Sequence, residues 1–518
     1  MDILLHNGTL YDGTGTPPLK ADIGISDGRI EAIGDLKNVQ AKQCLDCTGM
    51  AIAPGFIDAH SHSDTYILTH PEASSKITQG VTTEICGQCG SSAAPLFEGA
   101  TLPSDWEAVG HPGQWQTFAQ YRDLLASVKP AVNIALFCGH NTLRKGVMGY
   151  APRVATPGEI ALMSRRLEAA LEDGAAGLST GLLYNPGTHA APDEILALAK
   201  TAARHGGIYA THMRSEGAQL LEALDEAIGL AESANIALQI SHLKTGTPEN
   251  WHKLQPALEK IRAAQQRGLR VHADRYPYLA GGTDLDVVLP AWASSGGRDA
   301  ILARLNDPAQ RGRVIEELHA NPRLASGVMI GATWHASLLA TRGKTLDVVA
   351  AEWGCAPAEA FVKFLELDQT RTGAFFFGMS QKNLETIYRE PWVMPGSDAS
   401  LRALEGPLSL DHPHPRAFGT FPKFLRMATT MQNPLSVPEA IRRMTSLPAD
   451  AFALRNRGRV VEGAFADLVA FDLETFSDRA DYAKPHQICE GLHHVIVNGA
   501  LTFSNGKFTG NRRGVFVN

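Results

Sequence analysis

The stretch Pro54-Gly55-Phe56-Ile57-Asp58-Ala59-His60-Ser61-His62 decides the fold expected for this chain. The apolar run over 51–57 predicts a strand, and two histidines follow at its carboxyl end. Residues i and i+2 of a strand face the same side, so His60 and His62 can both point at one metal ion. Neutral imidazole is a common zinc ligand. Two surface histidines at a strand exit are the alternative, and the Gly-Phe-Ile-Asp run before them favours the metal site.

Short apolar runs alternate with helical stretches through the middle of the chain. The further runs lie at 81–85, 132–138, 175–178, 207–211, 236–240, 269–273 and 392–395. Helical candidates between them include 158–173, 192–205 and 217–233. Eight strands that each lead toward a helix predict an α/β fold, a (β/α)8 TIM-type barrel. Its chemistry is expected at the carboxyl ends of the strands.

The two ends of the chain carry short alternating strands broken by turns such as Asn7-Gly8 and Asp27-Gly28. We predict a small β-sandwich domain built from both termini, residues 1–53 and 446–518, around a barrel over 54–445. The predicted seventh and eighth strands are too far apart for one loop. A helical, lid-like insertion is therefore expected at about 285–390.

Other polar residues stand at the ends of the predicted strands. Cys89 follows the second strand between glycines, where it can approach a metal closely as a thiolate or simply pack as a small apolar residue. His212 and His242 end consecutive strands. Asp398 closes the eighth strand, where a carboxylate can move protons beside a metal site or cap the following helix.

The composition excludes several classes of protein. The 518 residues are 44% hydrophobic and 19% charged, as in ordinary globular proteins, and the formal net charge is −7. Because no long Lys/Arg run occurs, neither a nucleic-acid partner nor a polybasic membrane patch is expected. The N-terminus lacks a signal-peptide pattern and no long apolar run occurs. We therefore predict a cytoplasmic protein without a transmembrane span.

The seven cysteines do not predict a disulfide framework at this chain length. Two CxxC pairs, Cys44–Cys47 and Cys86–Cys89, do not follow the usual zinc-ribbon spacing, so a structural four-cysteine zinc site is not favoured. Cys86, at the end of the second strand, is expected to pack in the core.

Taken with their neighbours, these residues resemble the D-aminoacylase (N-acyl-D-amino-acid deacylase) family of the amidohydrolase superfamily. The likeness runs almost end to end and includes the Pro-Gly-Phe-Ile-Asp-x-His-x-His entry and the Gly-x-Cys-Gly turn. Five further blocks carry it: Thr211-His212-Met213-Arg214-Ser215-Glu216, Ser241-His242-Leu243-Lys244, Tyr276-Pro277-Tyr278, Gly396-Ser397-Asp398 and His412-Pro413-His414-Pro415-Arg416. The cysteine turn, the His-Leu-Lys block and the Pro-His-Pro-Arg block are more specific to the family than the histidine pair and Asp398, which occur across the superfamily.

The resemblance implies a ligand set for zinc. Cys89, His212 and His242 would hold one tightly bound Zn²⁺. A second, weaker position would be lined by His60, His62 and Asp398, with Cys89 near enough to bridge. Hydantoinase-like relatives use a carbamylated lysine from the fourth strand as the bridge, and the fourth strand here ends Gly177-Leu178-Ser179-Thr180-Gly181 without lysine.

The resemblance also implies that Lys244, Tyr276 and Arg416 bind the small-molecule substrate. A guanidinium suits this role because it binds a carboxylate through two parallel hydrogen bonds. The sequence departs from the family pattern at Gly282, where a hydroxyl residue is expected, although Thr283 is adjacent. The stretch between Asp398 and Arg416 also looks longer than is usual.

The expected activity is zinc-dependent hydrolysis of the amide bond of N-acyl-D-amino acids, with Asp398 as the catalytic proton carrier. A cyclic amidase of the hydantoinase or dihydropyrimidinase type, or a D-configured dipeptidase, is the alternative enzyme. A non-catalytic barrel relative is the third possibility. The preferred side chain and acyl group, the number of zinc ions needed and the oligomeric state stay open.

Overall fold

The computed structural model describes residues 1–97, 113–321 and 323–518. Residues up to 54 form the strands β1 (Ile3–His6), β2 (Thr9–Leu10), β3 (Leu19–Lys20), β4 (Asp22–Ser26), β5 (Arg29–Gly34), β6 (Gln43–Asp46) and β7 (Ala51–Pro54). The middle of the chain forms β8 (Phe56–Asp58), β9 (Val81–Cys86), β10 (Asn133–Leu136), β11 (Cys138–Gly139), β12 (Gly177–Gly181), β13 (Ile208–His212), β14 (Ala237–Ile240), β15 (Val271–Arg275), β16 (Ala280–Asp284), β17 (Val328–Ile330), β18 (Gly373–Phe377) and β19 (Val393–Pro395). The last strands are β20 (Leu468–Phe471), β21 (Leu492–Val497), β22 (Ala500–Ser504) and β23 (Lys507–Phe508).

The two ends of the chain share one sheet. Its strand order is β23-β22-β21-β20-β7-β2-β3, and the antiparallel pair of β7 with β20 joins the N-terminal strands to the C-terminal ones. Strands β5-β4-β1-β6 form a second sheet. Apolar side chains from both sheets, among them Ile23, Ile52 and Ile496, form one buried cluster. Burial of this cluster holds the two ends together.

The strands that carry the candidate ligands are parallel. Strands β8, β9 and β10 pair in one sheet, and β11-β12-β13-β14-β15-β19 pair in another. Only Phe137 separates β10 from β11, so the chain passes directly from one sheet to the other. At the remaining edges, an isolated parallel bridge joins Ser61, after β8, to Ala399, after β19. The carboxyl ends of all these strands therefore lie at one side.

The apolar run predicted as a single strand over 51–57 is two strands in different sheets, so that prediction was wrong. Strand β7 ends at Pro54 and pairs with β20, whereas β8 begins at Phe56 and pairs with β9. Gly55 lies between these two strands, at the point where the chain passes from one sheet to the other. A Cβ atom at this position would lie 2.2 Å from the Thr82 hydroxyl oxygen. The sequence hides the change of sheet because both strands are completely buried and therefore equally apolar.

Between β15 and β19 the chain leaves the parallel strands. Strands β16, β18 and β17 form an antiparallel sheet, and the helices around it share a separate buried cluster that includes Leu285, Val314 and Phe361. This sheet begins at Ala280, earlier than the residue 285 predicted for the start of the insertion. The predicted helical character is confirmed, with a small sheet added to it.

Helices connect and surround the strands. The α-helices of the described residues are Tyr66–Thr69, Ser74–Ile77, Phe118–Val128, His140–Met148, Pro157–Glu172, Pro192–Arg204, Leu220–Ala234, Leu254–Gln266, Ala291–Ser294, Arg298–Asn306, Pro308–His319, Leu346–Trp353, Pro357–Leu367, Gln381–Arg389, Arg416–Thr430, Val437–Met444 and Ser446–Ala451. The helices predicted at 158–173, 192–205 and 217–233 are confirmed. Those at 157 and 192 begin with proline, whose missing N–H is not needed in the first turn.

The cysteines and the helices of the described residues can be compared with what the sequence predicts. All seven cysteines are free, and Cys86 is completely buried in the core. In the part of the chain that the structure describes, no helix combines the length and apolar character needed to cross a bilayer.

We predict that Gly55→Ala lowers the stability of the protein by about 1–3 kcal/mol, because the new methyl group overlaps the buried Thr82 side chain. Denaturant unfolding followed by tryptophan fluorescence measures this change. The matched control is Gly158→Ala, since a Cβ atom there meets nothing within 4 Å. Equal stability of the two variants would contradict the tight packing of Gly55 against Thr82.

Candidate metal centre

The candidate metal ligands all lie at or just beyond the carboxyl ends of parallel strands. His60 and His62 follow β8, Cys89 follows β9, His212 ends β13, His242 follows β14 and Asp398 follows β19. The structure brings them together in two groups whose ligand atoms lie within 4.8 Å of one another. One group is Cys89, His212 and His242, and the other is His60, His62, Cys89 and Asp398. Cys89 belongs to both.

The Cys89 sulfur stands between the two groups. Its Sγ atom lies 3.3 Å from His60 Nε2 and 3.4 Å from His242 Nε2. At the same nitrogen of His60, the Asp398 Oδ1 atom lies 3.3 Å from His60 Nε2, and it lies 3.1 Å from His62 Nε2. A single sulfur can therefore serve two neighbouring ion positions.

Three of the ligands have a backbone conformation that L-residues seldom adopt. The φ angles are 54° at Cys89, 35° at His242 and 49° at Asp398. Such strain persists only where the surroundings enforce it, and it is concentrated at functional sites. Here the Asp398 N–H donates to the His60 carbonyl at 2.8 Å, and the His242 N–H donates to Asp274 Oδ1 at 2.8 Å. The ligands are thus held in place by their own backbone contacts.

Two carboxylates orient the histidine rings. Glu216 Oε1 lies 2.8 Å from His242 Nδ1, and Asp274 Oδ1 lies 3.0 Å from His60 Nδ1. Each ring then directs its Nε2 atom toward Cys89. A carboxylate behind a metal-binding histidine fixes the ring and makes the free nitrogen a better donor.

The donor set fits zinc. His212 is 3% exposed, and neither of its ring nitrogens makes a hydrogen bond within the described residues. Buried polar atoms are nearly always paired, so this ring needs a partner that the protein does not supply. One sulfur with two imidazoles is a set of soft and borderline ligands that suits Zn²⁺.

The charges of the site also favour a bound cation. Burial disfavours a thiolate, yet His60 and His242 hold the pKa of the Cys89 thiol well below its usual value. Burial also disfavours a charged Asp398, but Arg416, His242 and His60 hold the pKa of its carboxyl well below the usual range. Against the effect of burial, Asp398 and Cys89 raise the pKa of His62 to about 9. The site therefore holds two anionic ligands, the Cys89 thiolate and the Asp398 carboxylate, that a cation can neutralise.

The three predicted substrate-binding residues lie together beside Asp398. Arg416 Nη1 donates to Asp398 Oδ2 at 2.8 Å, and the Arg416 Cζ atom lies 4.7 Å from the Tyr276 ring centroid. Lys244 Nζ lies 5.8 Å from the same centroid and pairs with Glu216. Burial would raise the pKa of Tyr276, but Lys244, Arg275 and Arg416 lower it. This patch is complementary to a carboxylate.

At Gly282, where the family pattern has a hydroxyl residue, the backbone contacts the substrate-binding patch. The Gly282 carbonyl accepts a hydrogen bond from Arg416 Nη2 at 3.0 Å. Close to the metal ligands, the Tyr184 ring centroid lies 4.8 Å from that of His212. Tyr184 is thus a site residue that the sequence reasoning missed.

Beneath the ligands lies a buried group of charges that the sequence did not reveal. Lys76 Nζ lies 2.7 Å from Asp58 Oδ2 and 3.2 Å from Glu84 Oε2, and all three side chains are completely buried. The same ammonium donates to Ser397 Oγ at 2.8 Å and to the Ala399 carbonyl at 3.1 Å. This triad joins the segments that carry His60 and Asp398.

All nine residues proposed from the sequence lie at this one site, and Asp274, Glu216 and Tyr184 add to them. Asp274 stands near the carboxyl end of β15, as His212 does at the end of β13, but His272 and Arg275 interrupt the apolar pattern of that strand and weaken the signal. Glu216 follows His212 by four residues but gives no such signal, because it stands in a loop.

Comparisons with known proteins place the chain in a family. The model of the Amidohydrolase family matches residues 43–503. The chain is 36% identical to D-aminoacylase from Alcaligenes xylosoxydans xylosoxydans, with 99% of this chain and 96% of that protein covered. It is 35% identical to N-acyl-D-aspartate deacylase of the same organism, covering 99% and 94%. It superposes with a TM-score of 0.85 and 32% identity on N-acyl-D-glutamate deacylase from Bordetella Bronchiseptica, covering 100% and 99%; that structure holds zinc and a phosphonate inhibitor that mimics the tetrahedral intermediate.

We predict that Asp274→Asn weakens zinc binding by about 10–100-fold, because the amide keeps the shape but removes the charge behind His60. Competition with a chromophoric chelator measures the affinity. The matched control is Asp368→Asn, which alters an equally buried, hydrogen-bonded carboxylate in the inserted segment. Unchanged zinc affinity in Asp274→Asn would reject the orienting role.

Proposed function

The chain belongs to the amidohydrolase family, and from that premise we propose that it hydrolyses the amide bond of N-acyl-D-amino acids. The products are a carboxylate and the free D-amino acid. The proposal rests on the position of Arg416, Lys244 and Tyr276, a patch complementary to a carboxylate, next to the candidate metal ligands. Arg416 contacts Asp398, which itself lies within reach of both His60 and His62.

The chain has the fold of this family, a TIM barrel, and we propose the details of its layout. The two parallel sheets would form one closed (β/α)8 barrel, a layout favoured by the Ser61–Ala399 bridge and by a buried cluster that includes Ile57, Ala135, Ala210 and Met394. The barrel would occupy about 54–445, with the insertion between its seventh and eighth strands. Residues 1–53 and 446–518 would form the β-sandwich.

Zinc is the cofactor of the proposed reaction. Cys89, His212 and His242 would hold the tightly bound ion, and His60, His62 and Asp398 would line the second position beside the shared sulfur. When bound, Zn²⁺ acts as a Lewis acid that polarises a carbonyl group and makes water more acidic.

The α-carboxylate of the substrate would be bound by Arg416, Lys244 and Tyr276. The guanidinium supplies two parallel donors, the ammonium supplies charge and the phenol supplies an O–H donor. Fixing the carboxylate beside Asp398 leaves one orientation for the acyl-amino group at the α-carbon. This geometry gives the site a basis for choosing between the two enantiomers.

Asp398 would carry the proton. It is ionised in the resting site, as its pKa lies well below the usual range, so it can accept a proton from the attacking water. The water oxygen forms a bond to the acyl carbon, and Asp398 then gives the proton to the amide nitrogen as the carbon–nitrogen bond breaks. Binding of the substrate carboxylate by Arg416 would weaken the ion pair with Asp398 and make it a stronger base.

The proposal is tested by assaying the zinc-loaded protein with matched N-acetyl-D- and N-acetyl-L-amino acids and with a hydantoin. We expect release of free amino acid from the D series, with little from the L series. Turnover of the hydantoin alone would instead support a cyclic amidase. The panel includes neutral and acidic side chains, since two of the related enzymes are named for the acidic substrates N-acyl-D-aspartate and N-acyl-D-glutamate.

Asp398→Asn is expected to lower turnover by about 10²–10⁴-fold, because the amide cannot accept a proton. Bound zinc is measured in the same preparations by elemental analysis and is expected to stay at the wild-type level for the tight site, which does not include Asp398. The Asp368→Asn variant serves again as the control, since it alters another buried carboxylate. Near-normal turnover in Asp398→Asn would show that another group is the base.

A further inference from the structure

A second concave site lies away from the metal centre. A cleft of about 810 Å³ opens where the chain end at 512–516, the helix Phe118–Val128 and the terminal strands meet. Asn498 on its wall donates to Asn133, the first residue of β10. The cleft is therefore near the amino end of that strand, whereas the metal ligands lie at the carboxyl ends.

The lining is strongly basic in a chain with a net charge of −7. Two carboxylates, Asp27 and Asp123, stand against five cations: Arg122, Lys129, Arg457, Arg512 and Arg513. These cations come from three separate segments, so no basic run marks them in the sequence. The fold concentrates them at one place.

At least two of these five cations lack a carboxylate partner within the described residues. Within residues 1–97, 113–321 and 323–518, the ammonium of Lys129 and the guanidinium of Arg513 have no carboxylate within 4.0 Å. Arg122 Nη1 donates to the Asp173 carbonyl at 3.0 Å, a neutral group that fixes this guanidinium without cancelling its charge. Arg512 Nε donates to the Lys129 carbonyl at 2.9 Å, and its Nη1 also pairs with Glu72 Oε1 at 4.0 Å.

The wall of the cleft is rigid. Arg457 is 5% exposed, forms an ion pair with Asp467 and stacks over the Phe465 ring with its Cζ atom 4.2 Å from the centroid. Asp467 also accepts the Asn498 N–H at 2.8 Å and the Asn133 amide at 3.2 Å. A binding group held in this way loses little conformational freedom when a ligand arrives.

The arrangement also limits the kind of ligand. Arg29 stacks on Phe465 at 4.2 Å, as Arg457 does, so this ring is already engaged by two cations and does not serve as a stacking platform. Recognition would therefore depend on charge and on guanidinium hydrogen bonds, which favour phosphate and carboxylate oxygens.

We propose that this cleft binds a small organic anion with two or more phosphate or carboxylate groups. Lys129 and Arg513 supply the free positive charge, and Arg122, Arg457 and Arg512 complete the rim. Because the cleft and the metal centre lie at opposite ends of the strands, the anion does not compete with the substrate. It joins the chain end to the body of the protein and so stabilises the folded state.

Isothermal titration of the zinc-loaded full chain at low salt tests the proposal with two probes, fructose 1,6-bisphosphate and tricarballylate, and with fructose as the neutral comparison. We expect saturable binding of at least one probe. Binding of the bisphosphate alone identifies phosphate as the recognised group, and binding of tricarballylate alone identifies carboxylates. Absence of binding by both probes at millimolar concentration would overturn the proposal.

The double variant Lys129→Gln, Arg513→Gln is expected to bind the probe about tenfold more weakly, or worse, because two charge-assisted contacts are lost. The matched control, Arg455→Gln with Lys507→Gln, removes the same charge from exposed positions outside the cleft. Both double variants should keep the wild-type deacylase rate without probe, since none of the four residues contacts the metal centre. An equal loss of probe binding in the control would show that only overall charge matters and would also overturn the proposal.

Discussion

The contact of the Cys89 sulfur with imidazoles from both sides is the interaction on which the site depends. A buried thiol is normally neutral, because burial penalises the thiolate. Here the neighbouring His60 and His242 reverse that preference and hold the pKa of the thiol well below its usual value. The thiolate then becomes a ligand available to two positions at once. The remaining ligands are arranged around it, with a carboxylate behind two of the rings.

Buried hydrogen bonds and ion pairs beneath the metal ligands hold this arrangement in place. The segments that carry His60 and Asp398 are far apart in sequence, and the buried Lys76 ammonium joins them through Asp58 and Ser397. An ammonium completely removed from water is costly unless it is fully paired, and here two carboxylates and several oxygens surround it. The left-handed backbone at three ligands is tolerated because contacts of this kind fix the neighbouring segments.

Much of the site could be predicted from the sequence, since the chemistry of a metal ligand leaves few residue types and strands impose simple spacing. His60 and His62 share a face because they are two residues apart, and His212 ends a clear apolar strand. The change of sheet at Gly55 could not be predicted, because both strands are equally apolar. The Lys76 triad was equally hidden: a lysine in a short helix looks like a surface residue until the fold buries it. The basic cleft was missed for a related reason, as its cations are close only in space.

The central claim is that Cys89, His212 and His242 share one ion. Zinc K-edge X-ray absorption on the protein loaded with one equivalent of zinc tests it most directly. One sulfur ligand at about 2.3 Å and imidazole nitrogens at about 2.0–2.1 Å are expected. The sulfur signal should disappear in Cys89→Ser. A ligand shell of nitrogen and oxygen alone in the wild-type protein would contradict the shared ion.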